Sequence, residues 1–162
     1  MYAAESVVEG IFEGAPWFVA RLMSDGPFES DSELLERARV VALAMPEKEQ
    51  IALLEAHPRI GAPPASVSAM SFREQGYDRA VAHVGEAARP ALQAELDALN
   101  AAYESRFGFR YVIFVNGRSR QEIARLMQAA LSADRDAEKE RGLKDVVAIA
   151  GDRLRRIREG GT

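Results

Sequence analysis

The 162-residue sequence predicts an all-α fold, and three observations carry that prediction. Apolar residues recur at three- and four-residue spacing through most of the chain. Ser-x-x-Glu boxes and Pro or Gly punctuation repeatedly open and close those stretches. A single short β-branched run, Tyr111–Val115, has no second strand to pair with. The expectation is one helical domain over residues 1–162, an orthogonal or bundle-like array of about seven to nine helices with one extended segment near 111–115.

Ser6–Phe12 and Trp17–Met23 read as two short helices parted by Gly14-Ala15-Pro16, with Trp17 expected as a core anchor. Ser30-Asp-Ser-Glu33 is a capping box, opening a helix that runs to about Met45 with Leu34, Leu35, Ala38, Val41 and Ala42 on one face. Pro46 starts the next helix, through Ile51, Leu53 and Leu54. It ends at His57-Pro58, because the residue before a proline is pushed out of the α region. After Gly61-Ala-Pro-Pro-Ala, helix is expected to resume at Ser71, with Ser71-Phe-Arg-Glu74 as its box.

A long helix follows from Arg89 to Phe107, with Leu92, Leu96, Leu99, Ala102 and Tyr103 as its stripe, stopped by Gly108. Ser119-x-x-Glu122 opens another, carrying Ile123, Leu126, Met127, Ala130 and Leu131. The last helix follows the polar Ser132–Asp136 and runs to about Glu159 on a stripe of Leu143, Val146, Val147, Ala150, Leu154 and Ile157. Arg153 and Arg158 lie at opposite edges of that stripe, where an arginine can bury its stem and aim its guanidinium into a cleft.

Composition narrows the function. A net charge of −4 and a pI near 5.3 leave no electrostatic footprint for nucleic acid. No apolar run reaches the ~20 residues of a membrane span. The N-terminus lacks the basic start and apolar core of a signal peptide, so a cytoplasmic protein is expected. There is no cysteine, hence no thiol nucleophile and no thiolate metal site. The two histidines, His57 and His83, belong to no recognised ligand set; His83 and Glu86 stand one turn apart, but two ligands do not complete a site. No phosphate-binding loop, dinucleotide fingerprint or serine-hydrolase elbow occurs. No metal or other cofactor is expected.

What remains is His57 to Gln75, a titratable side chain beyond a helix end joined by a loop to Ser-x-x-Glu-Gln. Imidazole titrates near neutrality and suits acid–base work. Spacing alone leaves two readings of these residues. In one, His57 ends a helix and Ser71 with Glu74 only caps the next. In the other, His57 and Glu74 face a small polar anion held at the Ser71 helix terminus, with the Gln75 amide on an imide or ureide edge.

The ordered set His57-Pro-Arg-Ile-Gly61, Ser71-x-x-Glu74-Gln75, Leu99-Asn-x-x-Tyr-x-x-Arg-Phe-Gly-Phe109, Tyr111–Val115, Gly117-x-Ser-x-x-Glu-Ile123 and Ile149-Ala-x-x-Arg-Leu154 resembles the 2-oxo-4-hydroxy-4-carboxy-5-ureidoimidazoline (OHCU) decarboxylases of urate degradation. The resemblance covers nearly the whole chain. It implies an all-helical, cofactor-independent enzyme, usually a homodimer, that converts OHCU to (S)-allantoin with release of carbon dioxide. It puts the catalytic histidine on His57, with Glu74 beside it in the chemistry, and substrate binding on Ser71, Gln75 and Arg153. Tyr111, Val112, Ile113, Phe114 and Val115 become ligand-facing backbone, and Pro58 belongs to the same pocket. Arg110-Tyr111 departs from the Pro-Phe of many members, and the loop after Gly61 differs too. The reading from another class is a non-catalytic helical module that binds a ureide or purine breakdown product; a third is a metal-dependent ureide hydrolase of the same pathway.

Overall fold

Prolines and serine caps set the helix boundaries in the computed structural model, which describes residues 4–62, 68–75 and 88–160. Eight helices and no strand occur among the described residues: α1 (Glu5–Ile11), α2 (Pro16–Met23), α3 (Asp31–Ala44), α4 (Glu47–Glu55), α5 (Ala69–Glu74), α6 (Arg89–Phe107), α7 (Arg120–Ala130) and α8 (Arg135–Arg158). The all-α expectation holds. None of the described helices is long and apolar enough to cross a membrane. The chain divides into two compact units, Met1–His57 with Glu140–Thr162, and Pro58–Lys139.

In the first unit, Pro16 takes the first position of α2, where a missing N–H costs nothing. Ser30 caps α3 by accepting from Glu33 N–H at 3.1 Å, while the Glu33 carboxylate accepts from Glu29 N–H at 2.7 Å. The core gathers Val8, Ile11, Phe18, Leu22, Leu34, Leu53, Leu54, Val146, Ala150 and Leu154. Phe12 meets Phe18 edge-on at 5.0 Å between centroids. Phe18, not Trp17, is the buried anchor: Trp17 is half-buried and rests its ring edge-on to Phe18 at 6.0 Å. At Gly142, α8 approaches α4 so closely that an added Cβ would stand 3.0 Å from Leu54 Cδ2. Arg158 binds both carboxylate oxygens of Asp31, tying the end of α8 to the start of α3.

In the second unit, α6 packs against α7, and Ser119 caps α7 by accepting from Glu122 N–H at 3.2 Å. The start of α8 belongs here as well, and Asp134 accepts from Ala137 N–H. The α6 boundaries match the expected Arg89–Phe107, but its buried face is Leu96, Leu99, Asn100, Tyr103 and Phe107. Ala102 is exposed, and a polar Asn100 takes a core position instead. Tyr103 is the hub of an aromatic cluster with Phe107, Phe109 and Tyr111, at centroid distances of 4.6, 5.8 and 5.0 Å. Edge-on aromatic pairs add about 0.5–1.5 kcal/mol beyond area burial. The Tyr103 hydroxyl donates to the buried Glu138 carboxylate at 2.9 Å, which gives a polar atom in this core its partner.

Candidate functional site

His57 closes the first unit two residues beyond α4, with its N–H donating to Leu54 carbonyl at 3.2 Å. Only 9% of it is exposed. An imidazole so placed is shielded from bulk water, the setting in which a proton donor or acceptor is directed at a bound molecule and not at solvent.

Arg153 lies in the same unit and is 3% exposed. Its guanidinium donates to Ile11 carbonyl at 3.3 Å and to the Glu13 carboxylate at 3.4 Å, both in the α1–α2 segment. Sequence periodicity puts Arg153 at the edge of the apolar stripe; the structure draws it fully inside. Of the other C-terminal arginines, Arg155 and Arg158 are exposed and Arg156 is half-buried, each paired with a carboxylate; Arg153 stands apart from them by its burial.

Pro58, Ser71, Glu74, Gln75 and Tyr111–Val115 belong to the second unit. The expected start of α5 at Ser71 needs correction. Ser68 is the N-cap, accepting from Ser71 N–H at 3.1 Å, and the helix begins at Ala69. Ser71 is the third helical residue, 3% exposed, and its backbone carbonyl accepts from Gln75 N–H. The Ser71 hydroxyl is therefore not the cap, and Ser71 does not mark a helix terminus for an anion. Glu74 is the last residue of α5 and half-buried; Gln75 is its C-cap and buried.

Gln75 reaches back to the turn at Arg59–Gly61. Its Oε1 accepts from Gly61 N–H at 2.9 Å, and its Nε2 donates to Arg59 carbonyl at 3.1 Å. Arg59–Ala62 is a turn closed by Ala62 N–H to Arg59 carbonyl at 3.0 Å, with Gly61 at φ +79° in the third position, where a type II turn demands a left-handed residue. From α6, Asn100 Nδ2 donates to Ile60 carbonyl at 2.8 Å and Gln93 Nε2 to Gly61 carbonyl at 2.9 Å. The Arg59 guanidinium binds both oxygens of Glu104 at 2.8 and 2.9 Å. Those hydrogen bonds, with the nearby charges of Arg59 and Arg110, hold the Glu104 carboxyl below its ordinary pKa against the opposing effect of burial. The turn and α6 together line a cavity of about 880 Å³ that also takes in Arg110.

Tyr111–Val115 has neither helix nor strand pairing. Tyr111, Val112, Ile113 and Val115 are buried, Phe114 partly so. The segment ends where Arg118 N–H meets Val115 carbonyl at 3.0 Å and the Arg118 guanidinium meets Phe114 carbonyl at 2.9 Å. Its apolar side chains belong to the core, which leaves the backbone to carry any polar recognition.

Among the described residues no three His, Cys, Asp or Glu side chains are grouped to hold a metal ion. The His83 and Glu86 pair and the Pro63-Pro64-Ala65 part of the loop lie outside the described residues. Residue-by-residue reading missed Asn100, Gln93 and Glu104. For Asn100 a signal was present: a polar side chain at helical spacing within Leu96, Leu99, Tyr103 and Phe107 has to meet a buried partner.

The all-helical chain shares a defined class of fold: a solved structure described as an OHCU decarboxylase in the presence of (S)-allantoin superposes with a TM-score of 0.71 over 96% of this chain and 98% of the other, at 20% identity, which shows a shared fold. The chain belongs to the OHCU decarboxylase family, whose model matches residues 2–155. Similar relatives include the 2-oxo-4-hydroxy-4-carboxy-5-ureidoimidazoline decarboxylase of Halalkalicoccus jeotgali, 28% identical over 93% of this chain and 82% of that protein. A uric acid degradation bifunctional protein of Bacillus sp. (strain TB-90) is 30% identical over 93% of this chain. The chain spans only 29% of the length of that bifunctional relative.

Proposed function

We propose that this chain decarboxylates OHCU to (S)-allantoin in urate degradation, as a single family domain that needs no metal or organic cofactor. The carrying observation is the family match over residues 2–155 together with a buried His57 at the head of the His-Pro-Arg-Ile-Gly motif. Breaking the bond to the carboxylate releases carbon dioxide and leaves an electron pair on the ring carbon. The adjoining imidazoline system delocalises that pair, so the protein's tasks are to hold the substrate, stabilise an enolate-like intermediate and protonate one face. His57 is the acid–base group at the ring hydroxyl and reacting carbon, and Glu74 orients substrate or imidazole. Ser71, Gln75 and the Tyr111–Val115 backbone hold ureide and ring, Pro58 shapes the wall beside the imidazole, and Arg153 binds an anionic oxygen. Gln75 keeps a second Nε2 hydrogen for this purpose beyond the one given to Arg59. The protein acts as a cytoplasmic homodimer, for which light scattering should give twice the 17.8 kDa chain mass.

The test supplies freshly generated 5-hydroxyisourate hydrolysis product and follows circular dichroism at the allantoin band, with and without a chelator. Enantiomerically enriched allantoin should form faster than in buffer, equally with chelator present. Racemic product at the buffer rate defeats the proposal. His57→Ala should abolish turnover with the helical spectrum intact, whereas Ser119→Ala, which removes a helix cap and no group assigned to substrate, should leave it.

A further inference from the structure

We propose that Asn100 and Gln93 are positioning residues for His57, fixing the backbone turn that follows it. The inference rests on the reading of His57 as the acid–base group and goes beyond it, since neither α6 residue touches substrate in that mechanism.

All three carbonyls of Arg59–Gly61, and the N–H of Gly61, are matched by side-chain amides. Arg59 carbonyl and Gly61 N–H are taken by Gln75, Ile60 carbonyl by Asn100 and Gly61 carbonyl by Gln93. Amides combine donor and acceptor without a charge, so they satisfy a buried turn whatever the pH. Asn100 is 4% exposed and makes a second bond, to Leu96 carbonyl at 3.0 Å, which locks its side chain against its own helix. Its orientation is thus set by two acceptors, and it delivers Nδ2 to Ile60 as a fixed element of α6. Burying so polar a group costs free energy unless its bonds are made. A leucine would complete the stripe more simply, which points to the turn as the reason an asparagine stands there.

The turn is close to His57 along the chain. Only Pro58 separates His57 from Arg59. Proline fixes its own φ and restricts the backbone of the residue before it. His57 is thus joined to the fixed turn through a single residue of restricted backbone. A displacement on the order of 1 Å at a proton-transfer group can cost about 100-fold in rate.

The test compares Asn100→Ala and Gln93→Leu with wild type and with Ser119→Ala. Gln93 is half-buried, so its variant keeps the question open to experiment if loss of Asn100 prevents folding. Each folded variant is assayed well below its melting temperature for kcat and KM. Its His57 imidazole is followed by NMR over pH, in a His83→Gln background that leaves one histidine signal. Asn100→Ala should lower kcat about 10- to 100-fold with KM changed less than about threefold. Gln93→Leu should do so more weakly, and both should displace the His57 resonance and its titration midpoint. Ser119→Ala should lower melting temperature alone. An unmoved His57 signal in both α6 variants overturns the proposal whatever the activity. So does a displaced signal with wild-type kcat. If wild type fails to turn over substrate while the variants still displace the signal, the decarboxylase reading falls and the assignment of Asn100 and Gln93 to His57 stands.

Discussion

Gly61 shows how one residue supports the site. Its φ of +79° is a conformation that costs an L-residue about 1–2 kcal/mol. An added Cβ would also stand 3.2 Å from Gln93 Nε2 and from Leu96 Cδ1. Gly61→Ala should therefore lower the unfolding free energy by about 1–3 kcal/mol, read from the urea midpoint at unchanged slope. It should also weaken the Gln93 bond, so kcat falls with stability. A variant as stable as wild type would mean that the turn relaxes without strain. At this scale the sequence was legible where chemistry is local: His57, Pro58 and Gly61 stand out from their types and order. Gln75 as a clamp was not legible, because its partners are backbone atoms 14 and 16 residues away, which a string of side chains does not display.

Helices were readable from caps and periodicity, and their errors have physical causes. The boxes at Ser30 and Ser119 were read correctly because before each apolar run only one serine has a glutamate three residues on. Around the start of α5 there are three serines, Ser66, Ser68 and Ser71, and the pattern favoured the last because Glu74 completes its box. Starting at Ser68 instead turns Ser71 inward and gives Gln75 the C-cap from which it reaches the Arg59–Gly61 turn. In α8 the stripe was read one position too far, since Ile157 is 39% exposed, and Arg153 was drawn deeper than its edge position suggested. The assignment of the cap is open to measurement. Ser68→Ala should cost about 0.5–2 kcal/mol in stability, and Ser68→Asp, which restores an acceptor, should recover most of it. Equal stability of all three proteins would return the cap to Ser71.

At the scale of the molecule, the all-helical architecture was legible as a sum of local signals, whereas burial of Asn100 and Arg153 depended on contacts between distant segments. The same distinction governs the response to pH. Among the described residues, three carboxylates have lowered pKa values: Glu36 through hydrogen bonds from Arg39, Glu104 through those from Arg59, and Asp152, where desolvation pushes the other way but bonds from Arg155 and Arg156 prevail. A carboxylate whose folded pKa is depressed gives stability that is fully present above its unfolded value, about 4. That stability is lost as pH falls through the folded value, because the unfolded chain binds the proton first. Stability should therefore be level with respect to these groups from neutrality to about pH 5 and fall below it. The arginine partners are solvent-exposed, so screening keeps each contribution small. Asp152→Asn and Glu104→Gln should each destabilise slightly at pH 7, lose that effect once pH is below the folded pKa, and show less of it in high salt. Urea unfolding of the two variants and wild type at three pH values decides the matter. A penalty that persists undiminished in acid would mean that these side chains act through packing or neutral hydrogen bonds. For Glu104 it would also detach the Arg59 pair from any charge-based role in holding the turn after His57.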